Sequence, residues 1–238
     1  MDADRRRSYP AILRAHVSNP FDIETRANPA GCVCKLPTKR RMVFWPAAED
    51  IAAYISGYSL YAVEGGREEP NRGAFEPAWA SLRIALAGGE DWRLRPLNGE
   101  WFAPPRVSLF GPSSALVWSE SGAGILIGAG IRPRGWLRLF ARPAREWSDR
   151  IGPAPMLGGL RPDALHARFC ALADDEAVPR EFDALFREAM GPLPIHDATI
   201  GKIEAALVDP AIRTVAGLTA ASGLSVRALE RLADRAFG

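Results

Sequence analysis

Near the carboxyl end, Arg227, Arg231 and Arg235 recur every four residues. On a helix this spacing gathers side chains into one stripe. Val226, Leu229, Leu232, Ala233, Ala236 and Phe237 fall on the opposite, apolar side. A guanidinium is a rigid fork of donors that fits phosphate oxygens or the O6/N7 edge of guanine. Glu230, between two of the arginines, has the acceptors that a cytosine amino group needs. The chemistry on offer from Arg227, Glu230, Arg231 and Arg235 is recognition of a polyanion; the same stripe also suits the solvated face of a purely structural helical bundle.

Bond-making chemistry finds less support. The histidines are His16, His166 and His196, so none lies between positions 16 and 166. Metal sites in β-barrels and Ser-His-Asp or Cys-His catalysis both need histidine beside other ligands or nucleophiles. Cys32 and Cys34 form a C-x-C pair that nothing nearby completes, and Cys170 stands alone. The glycines of G-A-G-I-L-I-G-A-G, Gly122 to Gly130, alternate within a strand pattern and do not open a helix, which implies close backbone packing and no phosphate loop. Glu120, beside Trp118, is a lone carboxylate with no visible partner. No catalytic residue, metal site or cofactor is expected, and the chain does not read as an enzyme. Tyr58, Tyr61, Trp79, Trp92, Trp101, Phe110 and Trp118 sit at strand spacing, as core or as walls of a small-molecule pocket. The sequence leaves both open and names no ligand.

The arginine stripe needs a scaffold, and from His196 onward the periodicity breaks into three short helices. The first carries Ile200, Ile203, Ala206 and Leu207 on one face. It stops at Asp209-Pro210, since proline disfavours helical geometry in the residue before it. The second runs from Thr214, a candidate N-cap, to Ala221, with Val215 and Leu218 inward. Gly223 permits a tight turn because glycine enters positive φ without steric cost. Ser225 is the N-cap candidate for the third, arginine-bearing helix.

Upstream, the signals are those of sheet. Gly57 to Val63, Trp79 to Ala87, Trp92 to Arg95, Arg106 to Phe110, Ala115 to Ser119 and Gly124 to Ile131 read as short strands. Glycine and proline pairs punctuate them, a pattern of β-sandwiches and small barrels. Ala47 to Ile55 reads as a short helix, and Arg67 to Pro77 as a loop. Past Ile131 the period becomes helical: Arg134 to Phe140, Ala144 to Ile151, Pro162 to Ala173 and Pro179 to Met190. In the last two, Leu165, Phe169, Leu172, Phe182, Leu185, Phe186 and Met190 recur at helical spacing, as a dimer seam or as packing onto the sheet.

The totals set bounds. The chain has 238 residues, 47% hydrophobic and 24% charged, an ordinary globular composition with room for one large or two small domains. Four prolines, Pro10, Pro20, Pro29 and Pro37, deny long helices to the first 39 residues, where one or two strands near Cys32 to Leu36 are expected. Met1 to Arg41 holds nine basic residues against four acidic ones, a basic arm. The segment from His196 to Gly238 is neutral, with Lys202, Arg213, Arg227, Arg231 and Arg235 balanced by Asp197, Glu204, Asp209, Glu230 and Asp234. Neutrality weakens the case for DNA, since phosphate neutralisation supplies most non-specific affinity. MDADRRRSYP has no apolar signal region, and Ile125 to Ile131 is far shorter than the ~20 residues a membrane span needs. Three cysteines argue against a disulfide framework, and a cytoplasmic protein without membrane contact is expected.

The order L-x-x-x-x-G-L-S-x-x-x-L-x-R-x-x-x-x-x-F-G, Leu218 to Gly238, resembles the first of the two helix-turn-helix units of AraC-type transcription regulators. The resemblance implies double-stranded DNA as partner, with base-reading positions at Arg227, Glu230 and Arg231. Gly217, Thr219 and Ala233 depart from that family's usual residues, and its second helix-turn-helix has no counterpart before Gly238. Upstream, FWPAAEDIAAYISGYSLYAV, WASLRIALAGGEDWRLR and GIRPRGWLRLFARPAREWSDRI resemble, in order, the amino-terminal domain of a subset of the same regulators. That implies an α+β chain: an N-terminal cupin-like β-sandwich or barrel and a C-terminal helical region ending in a helix-turn-helix. The expected divisions are a basic arm (1–40), a cupin-like β domain for effector sensing or dimerisation (41–142), a helical connector (143–194) and a partial DNA-binding domain (195–238). A small-molecule effector and a homodimer both fit this reading. The alternative is a truncated relative that no longer reads DNA alone and acts by binding a small molecule or by pairing with full-length partners.

Overall fold

The computed structural model describes residues 23–24, 36–37, 40–65, 69–140 and 142–238. The predicted arm, including His16, Cys32 and Cys34, lies mostly outside them. Of it, β1 (Ile23–Glu24) and β2 (Leu36–Pro37) form a small antiparallel pair. The main strands are β3 (Arg41–Trp45), β4 (Ile55–Val63), β5 (Asn71–Phe75), β6 (Ser81–Ala87), β7 (Arg93–Pro96), β8 (Val107–Phe110), β9 (Val117–Ser121), β10 (Gly124–Ile131) and β11 (Ile151–Pro153). Six make one sheet in the order β11-β8-β6-β10-β4-β3, and three make another in the order β5-β9-β7. Every pairing is antiparallel. Helices α1 (Pro133–Leu139), α2 (Pro162–Cys170), α3 (Ala177–Ala189), α4 (Asp197–Leu207), α5 (Val215–Ser222) and α6 (Val226–Ala236) follow. The chain is thus a mixed α+β fold.

Strand alternation sorts the large sheet into two faces. Tyr58, Leu60, Leu82, Ile84, Leu109 and Ile127 point to one side and are buried in the main core. Leu165 and Phe169 of α2 and Phe182, Leu185 and Phe186 of α3 close over them. The apolar stripes of these two helices therefore pack onto their own sheet. Tyr58, a candidate pocket aromatic, is held here too. Its ring stacks on Phe182 with centroids 5.0 Å apart, and its hydroxyl donates to Asp183 Oδ1 at 2.6 Å. Burial, with the Asp183 carboxylate second, pushes the Tyr58 phenol well above its usual range.

Local expectations failed at several places. Ala47 to Ile55 is a series of turns and no helix, because β3 and β4 are antiparallel neighbours and the chain must reverse between them. Asn71 to Phe75, predicted as loop, is strand β5, paired with β9. That pairing sets Arg72 opposite Glu120, so the supposedly lone carboxylate accepts from Arg72 Nε at 2.9 Å. Ala144 to Ile151 is a 3-10 turn over Ala144–Trp147 followed by the edge strand β11. Of the alternating glycines, Gly124, Gly128 and Gly130 lie within strand β10 and Gly122 in the bend before it; a Cβ on Gly124 would sit 2.6 Å from the Ala87 carbonyl oxygen of the next strand. Among the described residues no helix is long and apolar enough to cross a membrane.

Candidate functional site

Helices α4, α5 and α6 share a small core of Ile200, Ile203, Leu229, Leu232 and Ala236, onto which Leu218, Leu224 and Phe237 pack. Each cap forms as local chemistry dictates. Thr214 Oγ1 accepts from the Gly217 amide at 3.1 Å, and Ser225 Oγ from the Ala228 amide at 3.3 Å. Gly223 turns the chain between α5 and α6 at φ 74°, a left-handed conformation suited to glycine. Leu207, Val215 and Val226, expected inward, are 49%, 56% and 49% exposed. Three short helices cover only one face of each other, and Leu218 and Leu224 already fill the space.

The residues expected to touch DNA come together as one surface. Ser225 caps α6, and Arg227, Glu230, Arg231 and Arg235 are exposed along it. None of these four charged side chains has an ion-pair or hydrogen-bond partner among the described residues.

The neutral charge of this segment is unevenly placed. Glu204 is buried and accepts from the Arg134 amide at 3.1 Å, while Asp197 pairs with the Arg134 guanidinium. Asp234 pairs with Arg145 at 3.1 Å. Three of the five acids are thereby turned toward α1 and the turn that follows it. Lys202, Arg213, Arg227, Arg231 and Arg235 remain exposed against Asp209 and Glu230. The exposed charge of the segment that has no ion-pair partner is basic even though the segment is neutral. The contacts with the rest of the chain at Asp234 and Gly238 lie toward the carboxyl end of α6, that of Asp234 one turn beyond Arg231 and both well past Arg227.

A second site lies on the other face of the large sheet. There the three-stranded sheet stands opposite, and a cavity of about 960 Å³ opens between the two. Phe75, Trp92 and Phe110 form one wall, with Trp92 and Phe110 stacked at 6.1 Å and Phe75 edge-on to Phe110 at 5.3 Å. Of the candidate pocket aromatics, Tyr61, Trp79, Trp92 and Phe110 do line the cavity. Trp101 and Trp118 do not: Trp101 lies under the Arg95 guanidinium at 5.3 Å, and Trp118 is 40% exposed.

Arg83 rises from β6 into this cavity, and sequence reasoning passed over it. A signal was present: in S-L-R-I-A-L-A the arginine shares strand parity with Ser81, Ala85 and Ala87, the small residues that leave space. Its Nε donates to Ser81 Oγ at 3.3 Å and its Nη1 to Ser59 Oγ at 3.2 Å. The guanidinium lies 5.1 Å from the Phe75 ring centroid and 5.9 Å from that of Tyr61. Burial pulls its pKa below the arginine norm, partly offset by the Tyr61 hydroxyl.

Of the described histidines and cysteine, His166 and Cys170 pack beside each other against β6, and His196 is exposed ahead of α4. His166 is buried on α2, its Nε2 3.0 Å from the Ala85 carbonyl oxygen, and burial lowers its pKa. Cys170 lies one turn on, 3.6 Å from the same ring. Among the described residues, no group of three or more His, Cys, Asp or Glu side chains is placed to hold a metal ion. No family model matches the chain, and no curated protein matches it either.

Proposed function

We propose that this chain is a DNA-binding transcription regulator of the AraC-like kind, with α5, the Gly223 turn and α6 acting as a helix-turn-helix. In that reading α6 enters the major groove by its amino-terminal half. Arg227 and Arg231 meet guanine edges, Glu230 accepts from a cytosine amino group, and Arg235 rests on a phosphate. The observation that carries the proposal is the exposed stripe of Arg227, Arg231 and Arg235 on α6, which has no ion-pair or hydrogen-bond partner among the described residues. The cupin-like sheet domain then serves as the sensing or dimerising half.

The test is titration against a random duplex pool, read by anisotropy at two salt concentrations. A common site should be enriched, and binding should weaken steeply with salt as counterions are released. Arg231→Ala should cost about 1–3 kcal/mol of discrimination at one base position. Unchanged site preference in that variant would sink the assignment of Arg231.

A second reading is favoured by the cavity: a module that does not read DNA alone and acts through a bound small molecule or a partner chain. It predicts weak binding that enriches no site and vanishes with added salt.

A further inference from the structure

We propose that the cavity between the two sheets binds a carboxylic acid with an apolar body, and that Arg83 is the residue that holds its carboxylate. This rests on reading the cavity as a ligand chamber, and it stands whether or not α6 reads DNA.

Arg83 is half-buried, and a guanidinium partly withdrawn from bulk water is costly unless an anion meets it. Arg83 has only neutral company: the hydroxyls of Ser59, Ser81 and Tyr61 and the rings of Phe75 and Tyr61. The half-buried Arg134 and Arg168, by comparison, meet carboxylates: Asp197 in the first case, Glu181 and Glu188 in the second. Two carboxylates reach the cavity lining, and neither serves Arg83. Asp149 is occupied by the Ser114 amide and hydroxyl at 2.7 and 2.8 Å, and Glu76 is exposed.

The sheet is built to lay this side chain flat. Ser59, Gly128, Arg83 and Ser108 stand in register across β4, β10, β6 and β8. The guanidinium crosses over Gly128 to reach Ser59, and a Cβ on Gly128 would meet Arg83 Nη1 at 2.6 Å. With Nε and Nη1 bonded to the serines and a third donor to the Tyr61 hydroxyl, two of the five guanidinium N–H groups are left for a carboxylate.

The walls select the rest of the ligand. Phe75, Trp92, Phe110, Val117 and Leu126 present apolar surface, which suits a hydrocarbon or aryl body. Arg40, Arg72 and Arg150 also line the cavity but are exposed, with Arg72 paired to Glu120 and Arg40 bonded to Asn71. Arg83 is the half-buried cation of the lining, and it matches the single charge of a carboxylate better than a phosphate dianion. A volume of about 960 Å³ lies at the upper end of ligand pockets and favours a medium-chain or arylalkyl acid over acetate.

Calorimetry on the full chain should compare decanoate and 4-phenylbutyrate with decanamide and 4-phenylbutyramide, and with phenyl phosphate. At least one acid is expected to bind tenfold or more tightly than its amide, and Arg83→Met should erase that preference. Gly128→Ala tests the same point without removing the charge, because the nearest atoms the new methyl meets belong to the movable arginine. It should weaken the acid about tenfold and leave the amide unchanged. If Arg83→Met does not fold, the acid-to-amide ratio of the parent and the Gly128→Ala variant decide. Equal binding of acid and amide overturns the carboxylate assignment while leaving the chamber intact. Tighter binding of phenyl phosphate also overturns it. No binding by any probe overturns the chamber reading with it.

Discussion

Two regions of this molecule bury charge, and they treat it in opposite ways. Beneath α4, the partly buried Arg134 meets Asp197 through its guanidinium and Glu204 through its amide, and Asp234 at the end of α6 meets Arg145. In the cavity, Arg83 is surrounded by hydroxyls and rings with no counter-charge. The first arrangement balances its charges within the chain, with Arg134 Nε and Asp197 Oδ1 left without a hydrogen bond, and fastens the helical trio to α1. The second is satisfied only in part, which is how a site for an outside anion differs from a structural ion pair. A buried charge with its partner present is evidence about assembly; one without is evidence about binding.

The sharpest way to break this comparison is to remove the hub of the seam. Arg134→Ala would leave Asp197 and Glu204 facing each other without their shared cation. Complete burial would put the loss at about 3–5 kcal/mol. The Arg134 side chain is 22% exposed and that of Asp197 14%, so solvent screening lowers the expectation to about 2–4 kcal/mol. Urea unfolding of the variant checks it, and a change below half a unit would reduce the seam to a surface ion pair. Arg83→Met, by contrast, should not destabilise the unliganded chain, and a gain of about 1 kcal/mol is expected, since a well-packed apolar group replaces an unmatched charge. A loss of several kcal/mol would mean that the serines and rings already satisfy Arg83, and that the cavity has no claim on it.

The difference between the regions also marks what the sequence made legible. The caps and turn of α5 and α6 were readable because they depend on residues within a few positions: Thr214 on Gly217, Gly223 on its own φ, Ser225 on Ala228. The exposed face of α6 followed from periodicity alone. Strand β5 was hidden because its segment is polar and bounded by prolines, and only its partner β9 makes it a strand. The inward assignment of Val215 and Val226 failed because periodicity says which residues share a side, not how many helices arrive to cover it. The basic excess among the unpaired exposed charges of the helical trio was invisible, since Arg134 and Arg145 lie far upstream of the acids they face. Arg83 was half legible: parity assigned its face, but only the opposed small sheet turns that face into a cavity wall.

Protonation of Glu204 provides the smallest and most selective test. Burial raises its pKa above the ordinary 4.5, opposed by the bond from the Arg134 amide and then by the charges of Arg132 and Arg134. The folded chain therefore holds this proton more tightly than the unfolded chain. The resulting stability is fully present below the ordinary value and is lost as pH rises through the raised one. Glu204→Gln keeps an acceptor oxygen for the Arg134 amide and removes the titration. The variant should match the parent near pH 4 and exceed it in stability at pH 7, in urea melts taken at both. A parent that gains on the variant as pH rises would mean that the arginines outweigh burial. Glu204 would then be an ion-pair partner in full, and the seam would bind its helices by charge more strongly than by packing.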